Sequence, residues 1–148
     1  MVRAKPKKNK LPADKARVGK IIDRLNRTHP DAKLDLDFSS PLELLIALIL
    51  AAQARDDLVN QVTAKLFEKY RSAEDYAHAP AGTVEEDTRR INFYRNKTRL
   101  IQNCCREIME RFDGRVPERL DDLLTLPGVG RKTANILIGN AFGRQTIG

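Results

Sequence analysis

The run Leu124-Thr-Leu-Pro-Gly-Val-Gly-Arg-Lys-Thr-Ala-Asn-Ile-Leu-Ile138 joins a helix end, a glycine turn and a new helix in one short stretch. Gly128 and Gly130 flank Val129, and glycines so spaced allow positive φ at both positions and leave no Cβ to hold off another backbone or a phosphate. From Arg131 onward, Ala134, Leu137, Ile138 and Ala141 recur at i, i+3, i+4 and i+7, the period of a helix with one apolar face. Gly143 stands where such a helix stops. The turn amides therefore precede a helix N-terminus, where unpaired N–H groups and the positive dipole end favour an anion. Upstream, Pro117 to Leu124 places Leu120, Leu123 and Leu124 on one face, and Pro127 closes that helix. The unit reads helix, hairpin, helix over about 117–143. A Gly-x-Gly turn alone also suits an ordinary helix connection, so the rest of the chain has to decide.

Outward from this unit, 148 residues fit one domain with a sizeable core. Hydrophobic residues make up 41%, aromatics 5%, and there is no Trp. With apolar runs of helical period, this predicts a small all-α domain filled by Leu, Ile, Val and Ala. A formal charge of +7 suggests a polyanionic partner. No stretch approaches the ~18 consecutive apolar residues of a membrane span, and the N-terminus has lysines without a signal peptide's apolar run. A cytoplasmic, nucleoid-associated protein with no membrane partner is expected. Cys104 and Cys105 are adjacent on a helical pattern, which is neither a metal-ligand spacing nor a disulfide framework, so buried free thiols are expected.

Residues 1–12 carry Arg3, Lys5, Lys7, Lys8 and Lys10 with two prolines and no acid, which predicts a disordered basic tail. An N-terminal helical segment over 13–31 follows, with Val18, Ile21, Ile22 and Leu25 in one stripe, the helix ending before His29-Pro30. Leu34, Leu36 and Phe38 alternate with acids but have no second strand pattern to pair with, so they read as an extended loop. Ser40 as N-cap, Pro41 at the first position and Glu43 completing a capping box start a helix to about Ala52. That helix is apolar on nearly every side and should be central. Further helices are expected to Tyr70, over Ser72 to Ala79, from a Thr83/Glu86 capping box to Ile91, and to Phe112 after a turn at Asn92 to Asn96.

The string L-P-G-V-G-R-K-T-A-N resembles the helix-hairpin-helix of the endonuclease III family of DNA glycosylases. Leu36 to Asp56 is similar to that family's second helix and following loop, and Ile91 to Lys97 to its intercalating turn. The resemblance covers Ala13 to Ile147. It implies a six-helix barrel domain over 32–148 that bears the hairpin, and a monomer acting on duplex DNA with a damaged or abasic site. The implied activity is base-excision repair: removal of oxidised pyrimidines followed by strand scission at the abasic site. Lys132 stands at the catalytic nucleophile's position, whereas the related adenine glycosylases carry Ser there. Gln53 matches the family's gap-filling Gln, and Phe93 stands where a leucine commonly wedges into the opposite strand. Leu126, Pro127, Gly128, Val129, Gly130 and Arg131 complete the expected DNA contacts.

The chemistry is coherent with those residue types. A damaged base must leave the stack before its glycosidic bond is reached, and the hole needs a filler. An apolar side chain can hold two base steps apart. An amine at a helix N-terminus beside Arg131 is a candidate nucleophile for attack at the sugar C1′ and for a Schiff base that permits β-elimination. One departure from the family stands out. In the family, the equivalent of Thr146-Ile147 is followed by a Val-Asp-Thr-His segment whose Asp assists base removal, and later by four cysteines holding an iron–sulfur cluster. The expectation is therefore a chain missing most of the C-terminal iron–sulfur domain: no 4Fe-4S cluster, no metal ligands, impaired base removal and weak lyase activity. The alternative is a noncatalytic helix-hairpin-helix DNA-binding module or an inactive remnant.

Overall fold

The computed structural model describes residues 14–144, and the expected tail over 1–12 lies outside them. Among the described residues there are eight helices and no strand: α1 (Lys15–Thr28), α2 (Pro41–Ala51), α3 (Asp56–Lys69), α4 (Ala73–His78), α5 (Thr83–Thr88), α6 (Tyr94–Arg111), α7 (Leu120–Leu123) and α8 (Arg131–Ala141). They fall into two units, residues 1–33 with α1 and residues 34–148 with the rest.

In the first unit, the Asp14 carboxylate caps α1 by accepting from the Ala16 N–H at 3.0 Å. The expected stripe of Val18, Ile21, Ile22 and Leu25 is exposed.

The second unit is built around α2. Its first turn is fixed by Pro41 and by the Ser40 hydroxyl, which accepts from the Glu43 N–H at 3.2 Å. The expected reciprocal half of the capping box is shifted by one residue. The Glu43 carboxylate takes the N–H and hydroxyl of Ser39, at 2.6 and 2.7 Å, because Ser39 presents two donors to it. Leu44, Leu45, Ile46, Ala47, Ile49 and Leu50 are all buried, and α2 touches α3, α6 and α8. A helix apolar all round has no face to give to water and so takes the centre. Leu34 to Phe38 forms no strand, as expected of a loop, and bends at Asp35-Leu36. Asn60 on α3 stands in for a strand partner, donating to the Asp35 carbonyl at 2.8 Å and accepting from the Asp37 N–H at 2.9 Å.

Three other expectations change. Thr83 is not the cap of α5: Gly82, at φ +83°, takes that place, and the Thr83 hydroxyl donates to the Pro80 carbonyl at 2.8 Å. The helix also stops at Thr88, short of Ile91. The Thr88 hydroxyl is buried 2.8 Å from the Val84 carbonyl and 2.9 Å from the Thr98 hydroxyl, which joins α5 to α6. Ahead of the hairpin, the helix expected from Pro117 is the single turn α7. Beyond it the chain tightens into i→i+3 bonds, Thr125 N–H to Asp122 and Leu126 N–H to Leu123, each 3.1 Å.

The core depends on α2, so Leu44→Ala should lower unfolding stability by about 2–5 kcal/mol, the cost of an unfilled cavity in a close-packed core. Urea denaturation followed by circular dichroism measures it, and a loss under about 1 kcal/mol would show that α2 is not central.

Candidate nucleic-acid interface

The hairpin is anchored from beneath. Leu126 and Val129 are buried, and the Val129 N–H donates to the Leu126 carbonyl at 3.2 Å. Their side chains belong to the core and hold the turn in place, so of these two expected contact residues it is the backbone that the hairpin can present. Gly128, exposed at φ +79°, makes the turn itself. A Cβ there would lie 3.3 Å from Leu100 Cβ and 3.6 Å from Ile49, so the hairpin rests on α6 and α2. Gly130 differs from expectation: it has φ −90° and ψ 174°, extended backbone open to any residue, and serves as the N-cap of α8. A Cβ at Gly130 would meet nothing within 4 Å. Glycine there suits the N-cap of α8, and no positive φ or close packing within the described residues requires it. Pro127 is half-buried and Arg131 is exposed.

Lys132, exposed in the first turn of α8, lines a cavity of about 360 Å³ with Leu36, Leu48, Ala51, Asp56 and Ile136. The glycine turn and Lys132 are thus close in sequence, and Lys132 is one of the residues that line this largely apolar cavity. Asp56, at the first position of α3, brings a carboxylate to the same cavity. No motif singles it out. Only its place in the Gln53 to Asp57 loop hinted at it.

The other two expected contacts, Gln53 and Phe93, share an unusual backbone. Both are left-handed, at φ +55° and +59°, and Asp113 is the remaining non-glycine residue of this kind among those described. Such geometry strains an L-residue by roughly 1–3 kcal/mol and persists only where its surroundings impose it. Gln53 is exposed between α2 and α3. Phe93 is 67% exposed just ahead of α6, although a phenyl ring gains by burial.

The basic stretch around α6 is only partly available to phosphates. Lys97 is 5% exposed, its Nζ donating to the Leu50 carbonyl at 2.8 Å, and burial lowers its pKa. Arg89 is paired with Glu86 at 2.9 Å. Among the described residues, Arg90, Arg95, Arg99 and Arg106 form no ion pair with a carboxylate. Arg99 and Arg106 are steadied by neutral Asn96 and Asn103, at 2.8 and 2.7 Å, which leaves their charge uncompensated.

No group of three or more His, Cys, Asp and Glu among the described residues could hold a metal ion. Cys104 and Cys105 do not fit a cluster: both are buried free thiols on α6, and burial pushes Cys104 up to about 12 and raises Cys105 as well.

Residues 46–145 match the HhH-GPD superfamily of base excision DNA repair proteins. The chain belongs to this superfamily. Similar HhH-GPD proteins include the endonuclease III of Synechocystis sp. (strain PCC 6803), 45% identical over 134 residues, covering 90% of this chain and 61% of the relative. The endonuclease III of Bacillus subtilis is 44% identical, covering 85% of this chain and 58% of its own. That of Escherichia coli K12 is 41% identical, covering 90% and 64%. The chain therefore spans about three-fifths of the length of these relatives. A trapped endonuclease III–DNA covalent intermediate, in its estranged-adenine complex, superimposes with a TM-score of 0.81 at 46% identity, over 88% of this chain and 61% of that one. A thermostable thymine-DNA glycosylase, 23% identical, shares the HhH-GPD fold with a TM-score of 0.80.

The two hairpin glycines should separate in their behaviour. Gly128→Val combines a disfavoured φ with a clash against Leu100 and should lower stability by about 1–3 kcal/mol. Gly130→Ala should stay within about 1 kcal/mol of the parent chain. Denaturation midpoints of the two variants test this, and equal destabilisation would contradict the distinction.

Proposed function

We propose that this chain is the DNA-reading and nucleophile-bearing part of an endonuclease III-type glycosylase and abasic-site lyase acting on duplex DNA with oxidised pyrimidines. The observation that carries the proposal is Lys132 in the first turn after the glycine hairpin, lining a cavity that Asp56 also lines. It is supported by likeness to endonuclease III structures, among them a trapped covalent complex with DNA.

The hairpin backbone and the unpaired arginines hold phosphates, which position the duplex without reading its sequence. Phe93 enters the stack as a wedge and Gln53 occupies the gap left by the extruded nucleotide. The extruded sugar then meets Lys132. At an abasic site, the free amine adds its lone pair to the C1′ aldehyde and water leaves, giving an iminium ion. Loss of a C2′ proton to a base feeds electrons into that iminium, and the 3′ phosphate departs with the electrons of the C3′–O bond. Asp56, within the cavity, is placed to attract the cationic sugar and imine. Such a protein works as a monomer with the nucleoid in the cytoplasm.

A noncatalytic DNA-binding module would share the hairpin but would not need a lysine lining a cavity. Borohydride reduction on an abasic duplex separates the two readings. The 148-residue chain should become covalently attached, and Lys132→Ala should lose trapping and strand scission by at least ~100-fold. Equal scission by both chains would exclude Lys132 as the nucleophile.

Phosphate anchoring has its own signature. Displacing condensed counterions should give a slope of log affinity against log salt steeper than about −2 on undamaged duplex. A flat titration would remove the hairpin and the arginines from the interface.

A further inference from the structure

Lys97 joins the end of α2 to the start of α6. The last carbonyls of any helix lack intrahelical partners. Here the Ala54 N–H, which an unbroken helix would give to Leu50, donates to the Ala51 carbonyl at 3.0 Å, because the chain has turned at Gln53. The Leu50 residue is fully buried, and Lys97 Nζ satisfies its carbonyl at 2.8 Å. Lys97 also lies in the first turn of α6, where its own N–H donates to the Phe93 carbonyl at 3.1 Å. One residue therefore holds, by its ammonium, the carbonyl three places before Gln53 and, by its amide, the carbonyl of Phe93.

This contact costs more than packing would require. A lysine is rarely buried without a charged partner, and among the described residues Lys97 forms no ion pair. An apolar side chain would fill the space without desolvating a charge, so the polar link is what the position supplies. Among the described residues, the two turns it ties carry two of the three non-glycine residues with left-handed backbone. The glycine hairpin rests on the neighbouring residues Ile49 and Leu100.

We propose that Lys97 is a positioning residue whose link to the Leu50 carbonyl fixes the separation of the Gln53 and Phe93 turns, and with it the preference for a duplex with an interrupted base stack. The inference rests on the roles proposed above for Gln53 and Phe93. Wedge and filler are useful only when they arrive in register with one gap, and a displacement near 1 Å is enough to forfeit much of such an effect. The phosphate contacts of the hairpin make no such demand.

The test uses the full 148-residue chain, with fluorescence anisotropy on two duplexes of one sequence, one of them carrying a tetrahydrofuran abasic analogue. Wild type should prefer the abasic duplex. Lys97→Met, which keeps the unbranched stem and removes the donor, should bind the intact duplex within about twofold of wild type and lose about tenfold in abasic preference. In a Phe93→Ala background the same change should cost little further preference, since the two residues act through one turn. A role confined to stability predicts a lower melting temperature with the preference retained in folded protein, and that result would overturn the inference. Should Lys97→Met fail to fold, Lys97→Arg keeps a donor but sets a different spacing. Its abasic preference should then fall several-fold, and a wild-type preference in that variant would overturn the inference equally. A wild-type chain with no abasic preference would refute the roles of Gln53 and Phe93, and this inference with them. An intact preference in wild type and in folded Lys97→Met would refute the strut alone.

Discussion

A helix that ends inside a protein must find partners for its last carbonyls, and the end of α2 is such a place. Leu50 is fully buried, and a carbonyl left without a donor there would cost about 1–3 kcal/mol. The structure meets this demand with a lysine from α6 rather than with water or a glycine cap. Because the donor comes from another helix, the termination of α2 and the start of α6 become one feature. The hairpin before α8 joins them through Gly128, whose missing side chain lets it settle on Ile49 and Leu100. Core and interface are thus the same construction seen from two sides.

That arrangement divides the work among parts of different rigidity. Leu126 and Val129 spend their side chains on the core, which leaves the hairpin backbone as a fixed surface for phosphate. The exposed Phe93 and Gln53 sit on strained turns imposed by the helices they connect. Lys132 has no such strain. It stands in the first turn of α8 and lines a cavity with apolar residues of α2 and with Asp56.

Periodicity and end signals made most of the helices legible. The recurrence of Ile101, Cys104, Cys105 and Ile108 matches the buried face of α6, and the all-apolar run from Leu42 matches the central helix. Caps were less legible, because they depend on where neighbouring donors lie. Glu43 prefers the two donors of Ser39, and Gly82 displaces Thr83. At the site, Gly128 was read correctly from its spacing, whereas Gly130 lies in extended backbone that any residue could adopt. The buried link of Lys97 was not legible, because nothing local in sequence reveals a carbonyl 47 residues away that needs a donor. Asp56 escaped for the same reason, since the cavity it shares with Lys132 exists only once α2, α3 and α8 have packed.

The central claim is that the hairpin, the Gln53 turn and the Phe93 turn form one DNA-reading surface gathered at the end of α2. Amide hydrogen exchange of the 148-residue chain, with and without a saturating abasic duplex, tests it most directly. The account predicts that residues 51–55, 91–96 and 128–133 gain protection together, while the face formed by α3 and α5 does not change. Protection confined to the hairpin, or centred on α3 and α5, would contradict it.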